Sequence, residues 1–373
     1  MPHRGGAPKV PCDTSAGCRA APAPPRSVRL DQNGLLVMDT ISPSSTAPAT
    51  AVVLVNLGTP AAPTPAAVRR YLAEFLSDPR VIDTPRWLWW PILHGVILRI
   101  RPPRSARAYA SIWTPEGSPL LTNSRALAER VRELLAPDGI RVELAMRYGE
   151  PALAAVLQSL QREGVGKILI LPLYPQYAGA STGSVFDAVR LAAPAAWRCI
   201  HDYHDDGGYI DALALSVETH WQQHGRSARL LVSYHGLPQR YVEAGDPYLA
   251  QCTTTTRLLR EHLGLDENQL TMSFQSRVGR EVWLGPDTET VLTQWAAGGV
   301  REVQVLCPGF AVDCLETLEE IAIRYREQFI AAGGTRFDYI PALNDSAAHV
   351  QALAALARRQ LADWQDGAQH AGA

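Results

Sequence analysis

The sequence predicts an α/β protein built from two similar doubly wound units, each with a four-stranded parallel sheet flanked by helices. Two observations lead to this prediction. Apolar, β-branched runs alternate with helical patterns along the chain, which is typical of parallel sheets covered on both faces. The predicted strands also recur in a matching order in the second half of the chain. A cleft between the two units would collect the strand ends of both.

The predicted strands are short runs rich in Val, Ile and Leu. They are residues 51–56, 142–147, 167–172, 198–203, 229–234, 270–275, 302–307 and 336–340. Patterns with helical periodicity fill much of the intervals between them. They cover residues 65–76, 122–135, 151–163, 210–223, 247–263, 287–297, 315–332 and 346–364.

The internal repeat rests on matching segments in the two halves. Residues 54–60 resemble residues 231–238, and the strands at 167–172 and 302–307 both run into a proline-containing segment. We therefore expect two similar domains followed by a last strand and a C-terminal helix that pack back. The expected limits are 51–213 for the N-terminal domain, 214–335 for the C-terminal domain and 336–365 for the last strand and helix.

The two ends of the chain differ from the rest in composition. Residues 1–50 are rich in Pro, Ala, Ser and Arg without an apolar period, so we expect a disordered N-terminal extension. Met38 offers an alternative start, and removal of residues 1–37 is expected to leave activity intact. A secretory signal is not expected, because no continuous apolar stretch follows the early charges. Residues 366–373 are expected to fray.

Composition and missing motifs exclude several function classes. The chain has 373 residues and a formal net charge of -2, so nucleic acid is not expected as a partner. Its six cysteines contain no C-x-x-C pair, which favours reduced thiols in a cytosolic protein. No G-x-G-x-x-G follows the first strand and no G-x-x-x-x-G-K-[ST] is present, so neither a dinucleotide nor a nucleoside triphosphate is indicated.

A histidine and three carboxylates are the candidates for chemistry. His235 follows a predicted strand and precedes a glycine, so its ring can bind a borderline metal or act as a base near neutral pH. Asp313, Glu316 and Glu320 are spaced i, i+3, i+7, which predicts one shared helical face. Such a face can bind a divalent cation or accept protons. A structural histidine and a solvated carboxylate face remain the alternatives.

Other residues predict a large, planar and mostly apolar ligand with a few carboxylates. Arg147 and Tyr148 end a predicted strand, where they could pair with an anion and stack on a flat ring. Residues 87–100 form an apolar run that is too short to span a bilayer, and four arginines follow closely. This pattern suits an interfacial segment or the apolar lip of a cleft. The alternative is a buried helix with a solvated basic end.

From about residue 51 to residue 360 the sequence resembles the ferrochelatase family, in its proteobacterial form. The residues that carry the resemblance recur in the family's order. They are Val55-Asn56-Leu57-Gly58-Thr59-Pro60, Ile112-Trp113, Gly117-Ser118-Pro119-Leu120, Arg147-Tyr148, Leu171-Pro172-Leu173-Tyr174-Pro175-Gln176-Tyr177, Ser233-Tyr234-His235-Gly236-Leu237-Pro238, Gly245-Asp246-Pro247-Tyr248, Phe274-Gln275-Ser276-Arg277, Trp283-Leu284-Gly285-Pro286, Cys307-Pro308-Gly309-Phe310 and Glu316-Thr317-Leu318-Glu319-Glu320.

The resemblance implies two Rossmann-like domains of the chelatase type with a porphyrin cleft between them. The implied reaction inserts Fe²⁺, a substrate, into protoporphyrin IX and releases two protons, as the last step of haem biosynthesis. His235 and Glu316 are implied as catalytic and metal-contacting residues, with Asp313 and Glu320 as a proton relay or metal approach. Which of these groups holds iron and which accepts protons stays open.

The resemblance also implies which residues surround the porphyrin. The implied porphyrin-binding residues are Leu57, Arg147, Tyr148, Tyr177 and Trp283. The implied apolar lip consists of Trp87, Trp89, Trp90 and Ile97. A poorly soluble porphyrin makes an apolar entrance reasonable. We therefore expect a cytoplasmic protein, with peripheral contact to the inner membrane through residues 87–107 as a further option.

Three departures from the family pattern refine these expectations. Gly179 stands where cluster-containing relatives have a cysteine, and no cysteine follows Cys314, so no [2Fe–2S] cluster or other prosthetic group is expected. Cys314 replaces a second histidine found in some relatives. Ala61 stands where coproporphyrin-using relatives carry a tyrosine, which favours protoporphyrin IX. The alternatives are a related chelatase that uses cobalt or coproporphyrin, and a non-catalytic haem-binding protein.

Overall fold

The computed structural model describes residues 28–30, 36–38, 50–279, 281–362 and 364. Strands β1 (Val28–Leu30) and β2 (Leu36–Met38) pair antiparallel. Both strands fall within the segment expected to be disordered, and the rest of residues 1–49 lies outside the described residues, so that expectation stays a prediction. The expected fraying of residues 366–373 also lies outside them.

The first large sheet has four parallel strands in the order β4-β3-β5-β6. Its strands are β3 (Thr50–Asn56), β4 (Ile140–Met146), β5 (Lys167–Pro172) and β6 (Trp197–Cys199). The strand predicted at 198–203 is shorter than expected. Beyond Ile200, whose N–H still bonds to Ile170, the polar residues that follow leave the sheet edge.

The second sheet repeats this arrangement with parallel strands in the order β10-β9-β7-β8. Its strands are β7 (Leu230–His235), β8 (Leu270–Gln275), β9 (Glu302–Leu306) and β10 (Arg336–Ile340). Counted within each half, both sheets have the order 2-1-3-4. The predicted fold class and its internal repeat are therefore confirmed. In this topology the strand order reverses beside the first strand, and ligands bind at the carboxyl ends there.

Helices connect the strands and cover the sheets. They are α1 (Pro65–Phe75), α2 (Arg86–Ile92), α3 (Leu98–Ile112), α4 (Pro119–Leu135), α5 (Leu153–Arg162), α6 (Ser184–Ala192), α7 (Gly207–His224), α8 (Gln239–Glu243), α9 (Tyr248–His262), α10 (Thr288–Ala297), α11 (Arg326–Ala331) and α12 (Ala347–Ala362). A short 3₁₀ helix covers Ala136–Asp138. Within the described residues, three segments are π-helical, with five or more residues each: Leu93–Ile97, Gly179–Gly183 and Glu316–Tyr325.

Several helices begin where the sequence provides a cap. The side chain of Thr64 accepts a hydrogen bond from the Ala67 N–H, and Pro65 occupies the first turn of α1. Asp206 and Asp287 cap α7 and α10 in the same manner. Helix α7 runs continuously across the expected domain limit at residues 213 and 214. Strand β10, which was expected to pack back after the C-terminal domain, is the edge strand of the second sheet.

One buried cluster joins the two halves below the strand ends. It contains Val52 and Leu54 of β3 together with Val232 and Tyr234 of β7. Helix α12 follows the second sheet but packs on α4 of the first half and on α7. Burial of this shared apolar surface holds the halves in one compact unit. Among the described residues, no helix combines the length and the apolar character needed to span a bilayer.

Candidate active site

The end of strand β7 presents an imidazole at the surface. His235 is exposed, whereas the five residues before it in the strand are buried. Its Nδ1 lies 2.7 Å from the carbonyl oxygen of Gly236. Because a carbonyl oxygen can only accept, this contact makes Nδ1 the donor. Nε2 is then the nitrogen with a lone pair, which suits it to a metal ion or a proton.

Gly236 allows this strand end to lie close to strand β8. Its N–H donates to the carbonyl oxygen of Gln275 over 2.7 Å. A Cβ on Gly236 would lie 2.7 Å from that oxygen and 3.1 Å from the Trp283 ring, so only glycine fits. The half-buried Trp283 therefore packs on the turn that follows His235. Its Nε1 donates to the carbonyl oxygen of Val278 over 2.9 Å.

The carboxylates lie on and before a π-helix, not on the expected α-helix. The π-helix begins at Glu316 and ends at Tyr325, and Asp313 precedes it. A π-helix has more residues per turn than an α-helix, and π-helical segments are frequent at functional sites. The prediction of one α-helical face shared by Asp313, Glu316 and Glu320 is therefore wrong. Glu316 and Glu320 lie on the π-helix, and Asp313 has separate surroundings.

Asp313 is buried and its carboxylate is occupied by neighbouring donors. Four groups donate to it: Thr317 Oγ1 at 2.9 Å, Tyr339 Oη at 2.5 Å, the Ala342 N–H at 3.3 Å and Asn344 Nδ2 at 2.8 Å. Its own N–H donates to Asn344 Oδ1 over 2.8 Å. This carboxylate joins the start of the π-helix to the segment after β10.

Glu320 is also buried and strongly bonded. Its carboxylate accepts hydrogen bonds from the Ser276 N–H at 3.1 Å, the Ser276 hydroxyl, Gln275 Nε2 at 3.4 Å and Tyr325 Oη at 2.8 Å. Arg324 adds an ion pair at 3.3 Å. Ser276 holds a positive φ of 66°, a region that favours glycine, and this strained residue is fixed by both bonds to Glu320.

Glu316 has different surroundings from the other two carboxylates. It is half-buried, and its charge acts on three groups that burial already perturbs. Burial, followed by the Glu316 charge, raises the pKa of Tyr109 and of the Cys314 thiol. The Cys314 thiol is hydrogen-bonded to the Glu316 side chain, whereas in the described part of the chain no N–H or hydroxyl group donates to this carboxylate. Burial, followed by the charges of Tyr109 and Glu316, also raises the pKa of Tyr71.

The first half contributes a hydrogen-bonded wall built around Asp78. Arg147 Nη2 lies 2.5 Å from Asp78 Oδ2, and the hydroxyl groups of Tyr148 and Ser184 donate to the same oxygen over 2.8 and 2.6 Å. Burial by itself would raise the pKa of Asp78. The bonds from Ser184, the Arg80 N–H and Tyr148, together with the Arg147 charge, outweigh burial and lower it.

Two further predicted residues flank this wall. Leu57 follows β3 and is half-buried in an apolar cluster with Tyr71, Tyr109 and Leu315, the residue before Glu316. The cluster therefore brings the start of the π-helix against the first half. The Tyr177 ring stacks on His201 with centroids 4.1 Å apart and an interplanar angle of 3°.

The expected lip contains both anchored and exposed residues. Trp89 donates through Nε1 to the carbonyl oxygen of Leu76 over 2.7 Å, and Ile97 packs against the same apolar cluster as Leu57. Trp87 is 79% exposed and Ile100 is 70% exposed. Trp90 is 48% exposed, with Arg86 near its face and His94 against its ring. The alternative of a fully buried helix is therefore wrong for this segment.

A basic face follows the lip on helix α3. Arg99, Arg101, Arg104 and Arg107 are all exposed. Within the described residues, none of the four forms an ion pair. Arg101 lies near Tyr109, because its charge opposes the rise in the pKa of that hydroxyl. On helix α3, Tyr109 therefore lies near Glu316, whereas the four guanidinium groups are exposed to solvent.

Comparison with known proteins identifies the family. The family model described as ferrochelatase matches residues 49–361. The chain belongs to the ferrochelatase family. It is 52% identical over 329 residues to the ferrochelatase of a Polaromonas species, covering 86% of this chain and 90% of that protein. It is 51% identical to the ferrochelatase of Nitrosococcus oceani, covering 84% and 88%.

Family membership confirms the predicted enzyme type. As a member of this family, the protein acts in haem biosynthesis on a porphyrin and ferrous iron. The relatives are proteobacterial, as the sequence resemblance predicted. Among solved structures, the chain is similar to SirB from Bacillus subtilis with Fe³⁺, at 12% identity and a TM-score of 0.47. That match covers 83% of this chain and 94% of SirB.

Sequence reasoning missed several residues near the candidate site. Asp78, Tyr71 and Tyr109 lie on helical or loop segments of the first half, where no sequence pattern marks them. Gln275 offered a signal, because it is a polar residue at the end of an apolar strand. A separate group also went unnoticed: in the described residues, only Asp202, His204 and Asp205 bring three ligand atoms within 4.8 Å of one another. His235 and Glu316 are not part of such a group.

Proposed function

We propose that this protein inserts Fe²⁺ into protoporphyrin IX in the cleft between its two sheets, with His235 and Glu316 as the catalytic residues. One observation carries the assignment of roles. Of the three candidate carboxylates, Asp313 and Glu320 are occupied by several donors each, whereas no N–H or hydroxyl donor in the described chain occupies Glu316. The Cys314 thiol, a weak donor, is bonded to Glu316, and a group that must gain and lose a proton or a metal is best left without strong donors.

The reaction requires two proton acceptors and a path for the metal. Two pyrrole N–H bonds break, Fe²⁺ forms bonds to the ring nitrogens, and two protons leave. His235 Nε2 carries a lone pair in the tautomer fixed by Gly236, so it suits the first proton or the incoming metal. Glu316 supplies the negative charge that neutralises either species. Asp313 and Glu320 hold the π-helix in place.

The substrate would lie between the apolar wall of the first half and the strand ends of the second. Leu57, Tyr109 and Trp283 offer apolar and aromatic surface for the macrocycle. The guanidinium groups of Arg101 and Arg104 suit the propionates, since both are exposed and unpaired within the described chain. Arg147 and Tyr148 support this wall, because their polar atoms are already bonded to Asp78.

Protoporphyrin IX is proposed over coproporphyrin because of the turn after β3. Ala61 offers no polar atom to the two additional propionates of coproporphyrin. The test is an anaerobic Fe²⁺ insertion assay with the purified full chain, run in parallel on both porphyrins. We expect kcat/KM for protoporphyrin to exceed that for coproporphyrin by at least tenfold. Equal or reversed preference would overturn the substrate choice, and tight haem binding without insertion would favour the non-catalytic alternative.

The exposed part of the lip is proposed to contact the membrane surface peripherally through residues 87–107. Exposed tryptophan and aliphatic side chains beside unpaired arginines suit an interface with anionic lipid. This would place a cytoplasmic enzyme at the inner membrane, where a poorly soluble substrate collects. Sedimentation with vesicles of anionic lipid, compared with neutral vesicles, tests this. Equal recovery in the supernatant with both would contradict it.

No iron–sulfur cluster is proposed for this member of the family. Gly179 lies at the position of one expected ligand, and the described cysteines Cys252, Cys307 and Cys314 are buried separately as free thiols. Burial raises the pKa of all three, which disfavours the thiolate form that binds metals. The purified protein should lack visible cluster absorbance and labile sulfide.

A further inference from the structure

We infer that Gln275 is a positioning residue that fixes Glu316 relative to His235. This inference rests on the proposed roles of those two residues. Gln275 is the last residue of β8 and is fully buried. It pairs in register with His235 across the sheet, and its carbonyl oxygen accepts the Gly236 N–H over 2.7 Å. Its backbone therefore sets the path of the turn that follows the histidine.

The side chain of Gln275 extends from the sheet to the π-helix. Its Oε1 accepts a hydrogen bond from Ser233 Oγ on β7 over 2.7 Å, and Cys307 Sγ after β9 lies 3.6 Å away. Its Nε2 donates to the carbonyl oxygen of Glu316 over 2.8 Å. One amide thus joins the ends of three strands to the first residue of the π-helix.

The contact at Nε2 bears on catalysis because it holds the backbone of the reactive residue itself. The second Nε2 contact, to Glu320 Oε2 at 3.4 Å, holds the residue four positions further along the π-helix. Because Nε2 contacts both Glu316 and Glu320, it limits the rotation and translation of the first turn of the π-helix. The Glu316 carboxylate is hydrogen-bonded only by the Cys314 thiol, a weak donor, among the described residues, so its position depends largely on this backbone support.

A purely structural role would have different consequences. Buried amides also stabilise the fold elsewhere in this sheet. Gln304 on β9 is equally buried, and its side chain bonds to Trp221 Nε1 at 2.8 Å, the Ser227 N–H at 3.2 Å and the Gly225 carbonyl at 2.8 Å. These partners lie away from β7's carboxyl end. Gln304 is therefore a matched control for the loss of a buried amide.

The first experiment compares Gln275→Met with Gln304→Met in the full chain. Fe²⁺ insertion is measured with protoporphyrin IX at saturating metal, together with the thermal midpoint of each variant. We expect both variants to lose thermal stability. Gln275→Met should lower kcat at least tenfold with KM for the porphyrin changed less than threefold, while Gln304→Met keeps kcat within twofold. A kcat for Gln275→Met within twofold of the wild type would overturn the inference.

A second variant isolates the donor and covers the case in which Gln275→Met does not fold. Gln275→Glu keeps an acceptor for Ser233 but replaces the Nε2 donor by an oxygen. An ionised carboxylate has no proton to donate to the Glu316 carbonyl. We expect kcat to fall at least tenfold with KM for the porphyrin changed less than threefold. A kcat within twofold of the wild type would contradict a donor role.

The variants His235→Ala and Gln275→Met distinguish a failure of this inference from a failure of the proposed function. If His235→Ala retains wild-type turnover, the proposed catalytic site is wrong and the role of Gln275 falls with it. If His235→Ala is inactive while Gln275→Met turns over normally, the site stands and only the positioning role fails. Both readings use the same assay and the same substrate.

Discussion

The two halves of the molecule share a backbone arrangement but carry different side chains on it. Both have the strand order 2-1-3-4, and in both a glycine after the first strand lies against the carbonyl oxygen at the end of the second. A Cβ on Gly58 would lie 1.7 Å from the Tyr148 oxygen, and one on Gly236 would lie 2.7 Å from the Gln275 oxygen. A π-helix follows the third strand of each half.

In the proposed function, the residues at these equivalent positions separate porphyrin binding in the first half from catalysis in the second. Before the glycine, the first half has Leu57 and the second has His235. The π-helix of the first half reads Gly-Ala-Ser-Thr-Gly, whereas that of the second begins with Glu316 and contains two further glutamates. The same backbone arrangement therefore occurs in both halves. The side chains differ, so that we expect the first half to provide a binding surface and the second half to provide the reactive groups.

The largest effect is expected where the halves differ most, at Leu57 and His235. His235→Ala and Glu316→Gln should each lower kcat for Fe²⁺ insertion by roughly 10² to 10⁴, the usual range for loss of a group that transfers protons. Leu57→Ala should change KM for the porphyrin several-fold and leave kcat nearly intact. Steady-state kinetics under anaerobic conditions measure both.

A surface histidine provides the control for this comparison. His262 lies on α9 and is exposed, with Asp211 as its neighbour. His262→Ala should behave as the wild type in kcat and in KM. A variant at Leu57 that lowered kcat as much as His235→Ala would show that the two halves are not divided into surface and chemistry.

The shared glycines provide the next test, this time of what the halves have in common. Gly58→Ala should destabilise the fold by about 3 kcal/mol, because the residue has a φ of 107° and its Cβ would overlap the Tyr148 carbonyl. Gly236→Ala should cost less, about 1–2 kcal/mol, since its approach is less close. Urea unfolding monitored by tryptophan fluorescence gives both values, and a larger loss at Gly236 would contradict the ranking.

The sequence predicted the repeated sheets better than it predicted the site. All eight strand positions emerged from apolar runs, because buried parallel strands have a simple pattern. The prediction of a shared carboxylate face was wrong, because the hydrogen bonding along residues 316–325 is π-helical. No periodicity in the sequence indicates a π-helix there. Asp78 was missed because its partners Arg147 and Ser184 are distant in sequence and converge only in the fold.

The basic face of the binding half should show a moderate effect. Replacement of both Arg101 and Arg104 by Ala is expected to raise KM for protoporphyrin about tenfold, or about 1.4 kcal/mol, with kcat little changed. Added salt should reduce the difference, because these groups are exposed. Arg257→Ala on α9 is the control, since Arg257 is an exposed arginine paired with Glu261. Unchanged KM in the double variant would remove α3 from the porphyrin site.

The smallest effect concerns the residues of the second half that hold Asp313 in place. The stability they provide depends on pH, and the direction of that dependence follows from a buried histidine. His349 on α12 is fully buried and donates through Nδ1 to the Asn344 carbonyl over 2.7 Å, while the Asn344 side chain bonds to Asp313. Burial lowers the pKa of His349 from 6.5 to about 4. The unfolded chain therefore binds a proton that the folded chain rejects between these values, so stability falls as the pH falls.

The expected loss follows from the two values. Between pH 7.5 and 5.5 His349 should reduce the free energy of unfolding by about 1.3 kcal/mol. Burial also lowers the pKa of His220, which therefore contributes in the same direction. The variant His349→Gln is needed to isolate the contribution of His349 to the free energy of unfolding. The lowered pKa of Asp78 places its titration below this window. If urea midpoints of the wild type and of His349→Gln decline equally over this range, the buried imidazole is not the source of the acid sensitivity. The support of Asp313 would then be independent of pH.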